Sequence, residues 1–275
     1  MKTFTSIKYI FSLTALMLSL ALASSGYGQT ACSTVINTTN VTCPGGKDGT
    51  VEIITYGPNG QIQTGLCRAP MPAPYTCATV GCTRTIASNS AFELTTGETV
   101  CVQVANFNQN ITFNGGGHLV FCGTAAPANI NFNGNILTCK ITVLTGANVN
   151  FNNLNNIGNS LLQNYGTITF NATGYNGKLE NNGTMIVKST ANINAMDGDF
   201  TNNGTIQIQG SFNIFNTLEN YGTITVAQDL NVNTNSGFRN YCTLTVTGNM
   251  MIAPTNNQNI PNAVENYGKI TVGQQ

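Results

Sequence analysis

Little of this sequence is charged, and it contains no tryptophan and only one histidine. Charged residues make up 7% of the 275 positions, where about a quarter is usual. Setting aside Lys2 and Lys8 leaves eight of the ten basic residues against ten acidic ones. No basic cluster is present, so nucleic acid is excluded as a partner. His118 follows three glycines without a nucleophile motif nearby, which indicates a surface turn rather than a catalytic or metal site.

Long apolar runs are absent after residue 28. Residues 1–28 have a positively charged start, an apolar run from Tyr9 to Ala23 and then small residues, which is the pattern of a signal peptide. Cleavage is expected after Ala23 or, preferably, after Gly28, with a lipid anchor on Cys32 as the less favoured alternative. No later stretch approaches the about 20 apolar residues of a membrane-spanning helix. We therefore predict a secreted or outer-surface protein with no membrane span after signal removal.

Asparagine is abundant instead, with 41 residues. A phrase of the form Asn-Tyr-Gly-Thr-Ile-Thr-Val occurs six times, in one spelling or another, in the second half of the chain. Its leading residues are Asn164, Asn181, Asn202, Asn220, Asn240 and Asn266. The steps between them are 17, 21, 18, 20 and 26 residues. A period near 20 predicts stacked coils rather than a single globular core.

Each phrase alternates apolar and polar residues and is rich in β-branched side chains, which indicates a short strand. Stacking would align the apolar residues in two interior columns. The first column would contain Ile168, Met185, Ile206, Ile224, Leu244 and Ile270, and the second Phe170, Val187, Ile208, Val226, Val246 and Val272. Threonines such as Thr223 and Thr225 would point outward. We predict an all-β fold, a right-handed parallel β-helix of about eight or nine coils over residues 98–275.

The leading Asn of each phrase is expected to play a structural role. It opens a corner that usually has Gly two residues later, where a positive φ is expected. Stacked Asn side chains can also hydrogen-bond from coil to coil, as amide ladders do. Cys242 replaces this Gly in one phrase, so we expect that corner either to be distorted or to adopt a conformation that Cys tolerates.

Cysteine usage favours an oxidising compartment, because eight of the nine cysteines precede the phrases. Cys101, Cys122 and Cys139 are 21 and 17 residues apart, close to the coil period. Adjacent coils should lie about 4.8 Å apart, so we expect a coil-to-coil disulfide, Cys101–Cys122 or Cys122–Cys139. Small buried thiols in the core are an equally weighted alternative.

Residues 29–97 differ from the repeats. They are rich in cysteine, and Pro70, Pro72 and Pro74 form a turn-prone stretch. We expect this segment to cap the N-terminal coil or to form a small β module tied by disulfides.

Two resemblances suggest a class of protein. The residues Asn40-Val41-Thr42-Cys43 through Asp48-Gly49-Thr50-Val51 resemble the opening of a short repeat in gliding-motility adhesins of Bacteroidetes. The coils are similar to the solenoid regions of large surface adhesins from the same bacteria. The resemblance implies an exported, non-enzymatic, adhesin-like protein without a cofactor, whose partners are extracellular glycans or surface proteins.

Two other functions remain open. Parallel β-helices also carry polysaccharide lyases and glycoside hydrolases, which need clustered carboxylates or a base beside a cation. Asp197 and Asp199 are the closest acidic pair of the repeats, and a loop or a weak Ca²⁺ contact competes with a catalytic role. Rows of Thr can bind ice, although Ile186, Gln207 and Lys269 interrupt them. No catalytic, cofactor-binding or metal-binding residue is assigned.

The tyrosines of the phrases are the best candidates for stacking on a ligand, and corner packing is the competing interpretation. They are Tyr165, Tyr221, Tyr241 and Tyr267.

Overall fold

A computed structural model describes most of the chain after residue 66 and two strands before it. The described ranges are 33–38, 50–56, 67–123, 128–133, 138–153, 160–171, 174–175, 177–189, 192–193, 200–233, 236–253 and 264–273. Within these ranges all regular structure is β, and no helix is long and apolar enough to cross a membrane.

The strands are short because each coil must turn several times within about twenty residues. In chain order they are β1 (Ser33–Thr38), β2 (Thr50–Tyr56), β3 (Arg84–Ile86), β4 (Phe92–Thr95), β5 (Thr99–Val102), β6 (Asn108–Asn114), β7 (His118–Phe121), β8 (Ala128–Asn133), β9 (Lys140–Val143), β10 (Asn148–Asn153), β11 (Leu161–Asn164), β12 (Thr167–Phe170), β13 (Gly174–Tyr175), β14 (Lys178–Asn181), β15 (Thr184–Val187), β16 (Asn192–Ile193), β17 (Phe200–Asn202), β18 (Thr205–Ile208), β19 (Phe212–Ile214), β20 (Thr217–Asn220), β21 (Thr223–Val226), β22 (Leu230–Val232), β23 (Gly237–Asn240), β24 (Thr243–Val246), β25 (Met250–Ile252), β26 (Val264–Asn266) and β27 (Lys269–Gly273).

Two long sheets form two sides of a parallel β-solenoid, as the repeat predicted. Sheet A runs in the order β4, β6, β8, β10, β12, β15, β18, β21, β24 and β27, all parallel, and ends with β2 and β1. Sheet B is a ten-stranded parallel sheet in the order β3, β5, β7, β9, β11, β14, β17, β20, β23 and β26. Two short sheets, β13–β16 and β19–β22–β25, contribute to a third side.

The core consists of stacked columns of apolar side chains, one residue per coil. Both predicted columns are confirmed: every member is buried except Val272, which is partly buried. A third column lies on sheet B and contains Leu162, Leu179, Phe200, Leu218 and Phe238. At roughly 1.5–3 kcal/mol for each fully buried large side chain, the columns offset part of the entropy lost on ordering each coil.

The N-terminal hairpin caps the last coil, not the first. Strands β1 and β2 pair antiparallel, and β2 pairs antiparallel with β27, from Thr50 opposite Gly273 to Ile54 opposite Lys269. A parallel edge strand would otherwise expose its backbone groups for pairing with other chains. The solenoid itself begins within the segment that we expected to be a cap, because β3 and β4 are the first parallel strands of sheets B and A.

Candidate functional site

The leading asparagines form a continuous ladder inside the solenoid. The Nδ2 of each of the first five donates to the Oδ1 of the next coil's Asn at 2.7 to 2.8 Å, and these five side chains are fully buried. The predicted structural ladder is therefore confirmed for Asn164, Asn181, Asn202, Asn220, Asn240 and Asn266.

Each amide in the ladder also fixes the adjoining corner. Asn202 Nδ2, for example, donates to the carbonyl of Thr223 in the next coil and to that of Gly204 in its own corner. Asn220 Oδ1 accepts from the backbone N–H of Gly222. These amides are occupied by the scaffold, so they offer nothing to a ligand.

Glycine at the corner is required by close approach of the coils rather than by a positive φ. A Cβ on Gly204 would lie 2.1 Å from the carbonyl oxygen of Gly183 in the preceding coil. The described glycines with positive φ are Gly81, Gly97, Gly115 and Gly146, none of which belongs to a phrase. The sequence-based expectation of left-handed corner glycines was therefore wrong.

The phrase tyrosines pack on one another along the corner. Tyr221 and Tyr241 stack with ring centroids 4.4 Å apart, and Tyr241 and Tyr267 follow at 5.1 Å. The guanidinium of Arg68 covers the other side of Tyr221, 3.6 Å from its ring centroid. Both faces of Tyr221 and Tyr241 are therefore occupied within the protein. Because a ligand ring would need one of these faces, corner packing is the role that the geometry supports for these two residues.

A segment that we call the strap, residues 67–82, runs along this corner against the direction of coil stacking. One end is held by the disulfide Cys67–Cys242, and the other by Cys77–Cys122 and Cys82–Cys101. From the coil of Cys242 to that of Cys122 the chain steps six coils along sheet B. At about 4.8 Å per coil this is about 29 Å. Ten residues in polyproline II conformation cover about 31 Å, so the strap must be almost fully extended.

The prolines of the strap fit an extended crossing rather than the turn that we expected. Proline fixes φ near the polyproline value and has no N–H that needs a partner. Between and beside the prolines, Ala73, Tyr75 and Cys77 face the solenoid, whereas the intervening residues are exposed. The inward residues form a second apolar cluster with Val120 and Leu144.

Two phrases have Asn where the others have Tyr, and the strap passes over one of them. The backbone N–H of Met71 donates to Asn182 Oδ1 at 3.3 Å, and Asn203 Nδ2 donates to the same oxygen at 2.9 Å. Both asparagines are buried. The smaller side chain leaves space for the strap at the corner. The replacement of Tyr by Asn is visible in the sequence, but we did not predict a contact from it.

The cysteine pairing differs from the coil-to-coil disulfides that we expected. Cys101 and Cys122 are both in disulfides, but with cysteines of the strap, and Cys139 is a buried free thiol. In the observed register Cys101 lies opposite Val120 and Lys140 lies opposite His118. The three cysteines are thus offset along their strands, which the spacing in sequence concealed.

Three sulfur atoms at the end of the strap lie close together. The Sγ atoms of Cys77, Cys82 and Cys101 are within 4.8 Å of one another. Metal binding requires thiolates, and here each of the three is in a disulfide. The cluster therefore holds the strap rather than a metal ion.

His118 lies under the strap and not in a surface turn. Its Nε2 is 2.9 Å from Thr142 Oγ1, and the hydroxyl of Tyr75 lies within 3.5 Å of both. Burial, reinforced by the positive charge of Lys140, lowers the pKa of His118 to about 4. The imidazole is therefore neutral at pH 7 and serves as a hydrogen-bonding partner for the strap.

The acidic side chains of the described coils are spread out, and most of them are engaged. Glu98 pairs with Arg84, Glu180 accepts from Gln163, and Asp229 accepts from Asn249. Glu219 and Glu265 lie on either side of Arg239, at 3.0 and 3.2 Å. Asp197 and Asp199 lie outside the described residues. These described contacts bring no two carboxylates together without a cation between them.

The outward face of sheet A is regular from β12 to β27. From β12 to β27 the strands pair without a register shift. The first residue of each strand points outward and is Thr in five successive coils, namely Thr167, Thr184, Thr205, Thr223 and Thr243. The third residues form a mixed outward column of Thr169, Ile186, Gln207, Thr225, Thr245 and Thr271, in which only Thr169 is buried.

The fold and this face define a strapped parallel β-solenoid with a regular uncharged side. No protein-family model, curated protein or solved structure matches the chain. Because β-solenoids support both binding and catalysis, function has to be argued from the surface and not from the fold.

Proposed function

We propose that the protein is an exported, non-enzymatic, adhesin-like component of the cell surface or extracellular matrix that presents a rigid binding surface. The observation that carries this proposal is the division of polar groups between the sides of the coil. Asn amides are occupied inside, charged groups pair on sheet B, and hydroxyls project from sheet A.

Export is supported by the three disulfides, because such bonds persist in oxidising compartments. The signal peptide proposed for residues 1–28 lies outside the described residues. The disulfides also support a surface role, since a strap fixed at both ends keeps a long solenoid stiff under mechanical load.

The test is adhesion of the purified, oxidised chain to extracellular material. We expect saturable binding to cell-surface or matrix preparations and no release of reducing sugars or unsaturated products from a polysaccharide panel. Degradation of any polysaccharide, abolished by Asp197→Ala, would instead establish the lyase or hydrolase alternative. Absence of both binding and degradation would also reject the proposal.

A further inference from the structure

The outward face of sheet A combines regular spacing, free hydroxyls and very little charge. Successive coils lie about 4.8 Å apart, and the two outward residues of one strand are about 6.6 Å apart, twice the rise per residue. The in-register part of the face thus offers a grid of two positions per coil over β12, β15, β18, β21, β24 and β27.

The hydroxyls of this grid are available, unlike the asparagine amides. Within the described residues, no side-chain hydrogen bond is made by the hydroxyls of Thr205, Thr223 or Thr225, whereas Thr243 has only a contact of 3.9 Å to Cys242 Sγ. Exposed hydroxyls can both donate and accept. They match the hydroxyl groups of a sugar, which also donate and accept.

The charge distribution favours a neutral sugar polymer over a polyanionic one. In the described part of sheet A from β6 to β24, the outward residues are Thr, Asn, Gln and Ile. Within the strands, charge on this face is confined to the ends, with Glu93 on β4 and Lys269 on β27, and one further cation, Lys188, directly follows β15. Isolated lysines at its margins do not form the cluster of Lys and Arg on which recognition of a polyanion relies.

We infer that the outward face of sheet A binds an extended neutral β-linked polysaccharide whose chain runs along the solenoid axis, one sugar residue per coil. The coil spacing is close to the length of one sugar in such a chain. Each sugar would lie between the two outward side chains of its strand. This inference rests on the proposed adhesin-like function and specifies its ligand and its face.

The geometry predicts a dependence on ligand length. Soluble β-1,4-linked oligomers of glucose, mannose and N-acetylglucosamine, from dimer to octamer, are titrated against the oxidised full chain by calorimetry. For at least one series, affinity should rise with each added sugar up to about the hexamer and then level off, since six in-register strands carry the grid. Absence of binding by all three series, or affinity independent of length, would overturn the inference.

A triple variant tests the face itself. Thr205→Val, Thr223→Val and Thr243→Val together remove three hydroxyls while retaining shape and strand propensity. At about tenfold in affinity for each 1.4 kcal/mol, loss of three hydrogen bonds should weaken binding about tenfold or more. The matched control is Thr201→Val with Thr217→Val on the outward side of sheet B, which should bind as the wild type.

The outcomes separate this inference from the broader function. The chain could adhere to matrix while the triple variant adheres equally well, or the control could lose as much affinity as the triple variant. Either result would show that sheet A is not the binding face, and the adhesin-like function would stand. If neither matrix nor oligomers are bound, both proposals fail. Ice shaping that the triple variant abolishes, without sugar binding, would assign the face to ice and overturn the inference.

Discussion

The two long sheets of the solenoid share one repeat but expose different chemistry. Sheet B lies beside the strap, which covers Cys101, Val120 and Thr142, and carries the alternating Glu219, Arg239 and Glu265 farther along. Sheet A presents uncharged hydroxyls in register. A repeat therefore determines the coil and its interior, whereas the residues that depart from the repeat determine what each side can contact.

Releasing the strap from its side of the solenoid should have the largest effect on stability. Cys67→Ser with Cys242→Ser opens a disulfide that spans 175 residues of sequence, and removing such a bond costs roughly 2–5 kcal/mol of unfolding free energy. Chemical denaturation of the oxidised protein measures this loss. Cys82→Ser with Cys101→Ser is the matched comparison, since its separation is 19 and the constraint on the unfolded chain is smaller. A larger loss from the short-range pair would contradict this account.

The next largest effect is expected inside the corner that joins the sheets. Asn202→Ala removes the partner of Asn181 Nδ2 and the donor to Asn220 Oδ1, both in a fully buried ladder. The substitution also removes the bonds from Asn202 Nδ2 to the carbonyls of Gly204 and Thr223, so four hydrogen bonds are lost. Asn181 Nδ2 and Asn220 Oδ1 retain other partners, so each lost bond should cost about 0.5–1.5 kcal/mol, and we expect a total loss of roughly 2–4 kcal/mol by denaturant titration.

The control for the ladder variant is Asn213→Ala. Asn213 accepts one hydrogen bond from Asn231 at 2.8 Å in a partly exposed position, so its loss should cost about 1 kcal/mol or less. Equal losses at the two positions would show that burial of the ladder has no energetic importance.

Much of the coil could be predicted from the sequence because stacking is local in the repeat. The alternation placed Ile206 and Ile208 in the core, and the recurrence of Asn202 in the same frame as Asn220 was enough to predict the ladder. Each inference needed only the neighbouring coil, about twenty residues away.

The strap and the cap could not be predicted in the same way, because their partners lie far away in sequence. Nothing in the composition of β2 indicates that it pairs with β27. Two departures from the repeat did carry information: Cys242 in place of the corner glycine is the partner of Cys67, and Asn182 in place of Tyr lies against the strap. Both departures are visible in the sequence, but neither indicates which distant residue it contacts.

Acid should weaken the strapped side selectively. The pKa of His118 is lowered by burial to about 4, against an ordinary value of 6.5, so the unfolded chain takes up the proton first as pH falls. The contribution of neutral His118 to the free energy of unfolding is fully present above pH 6.5 and is lost as the pH falls from 6.5 toward 4. We expect the denaturation midpoint of wild type to decline over this window more steeply than that of His118→Gln. Parallel pH profiles for the two proteins would show that His118 does not contribute to attaching the strap.

The smallest effect on stability is expected on the open face. Thr223→Val removes an outward hydroxyl that has no side-chain hydrogen bond within the described residues, and surface substitutions of this kind usually change stability by less than about 0.5 kcal/mol. Val also has high strand propensity, so the denaturation midpoint should equal or slightly exceed that of wild type. A loss comparable to that of Asn202→Ala would mean that the threonine column supports the fold, in the same way as the asparagine ladder. With stability unchanged, loss of polysaccharide binding by the triple threonine variant can be attributed to the missing hydroxyls and not to unfolding, because the same side chains then serve recognition alone.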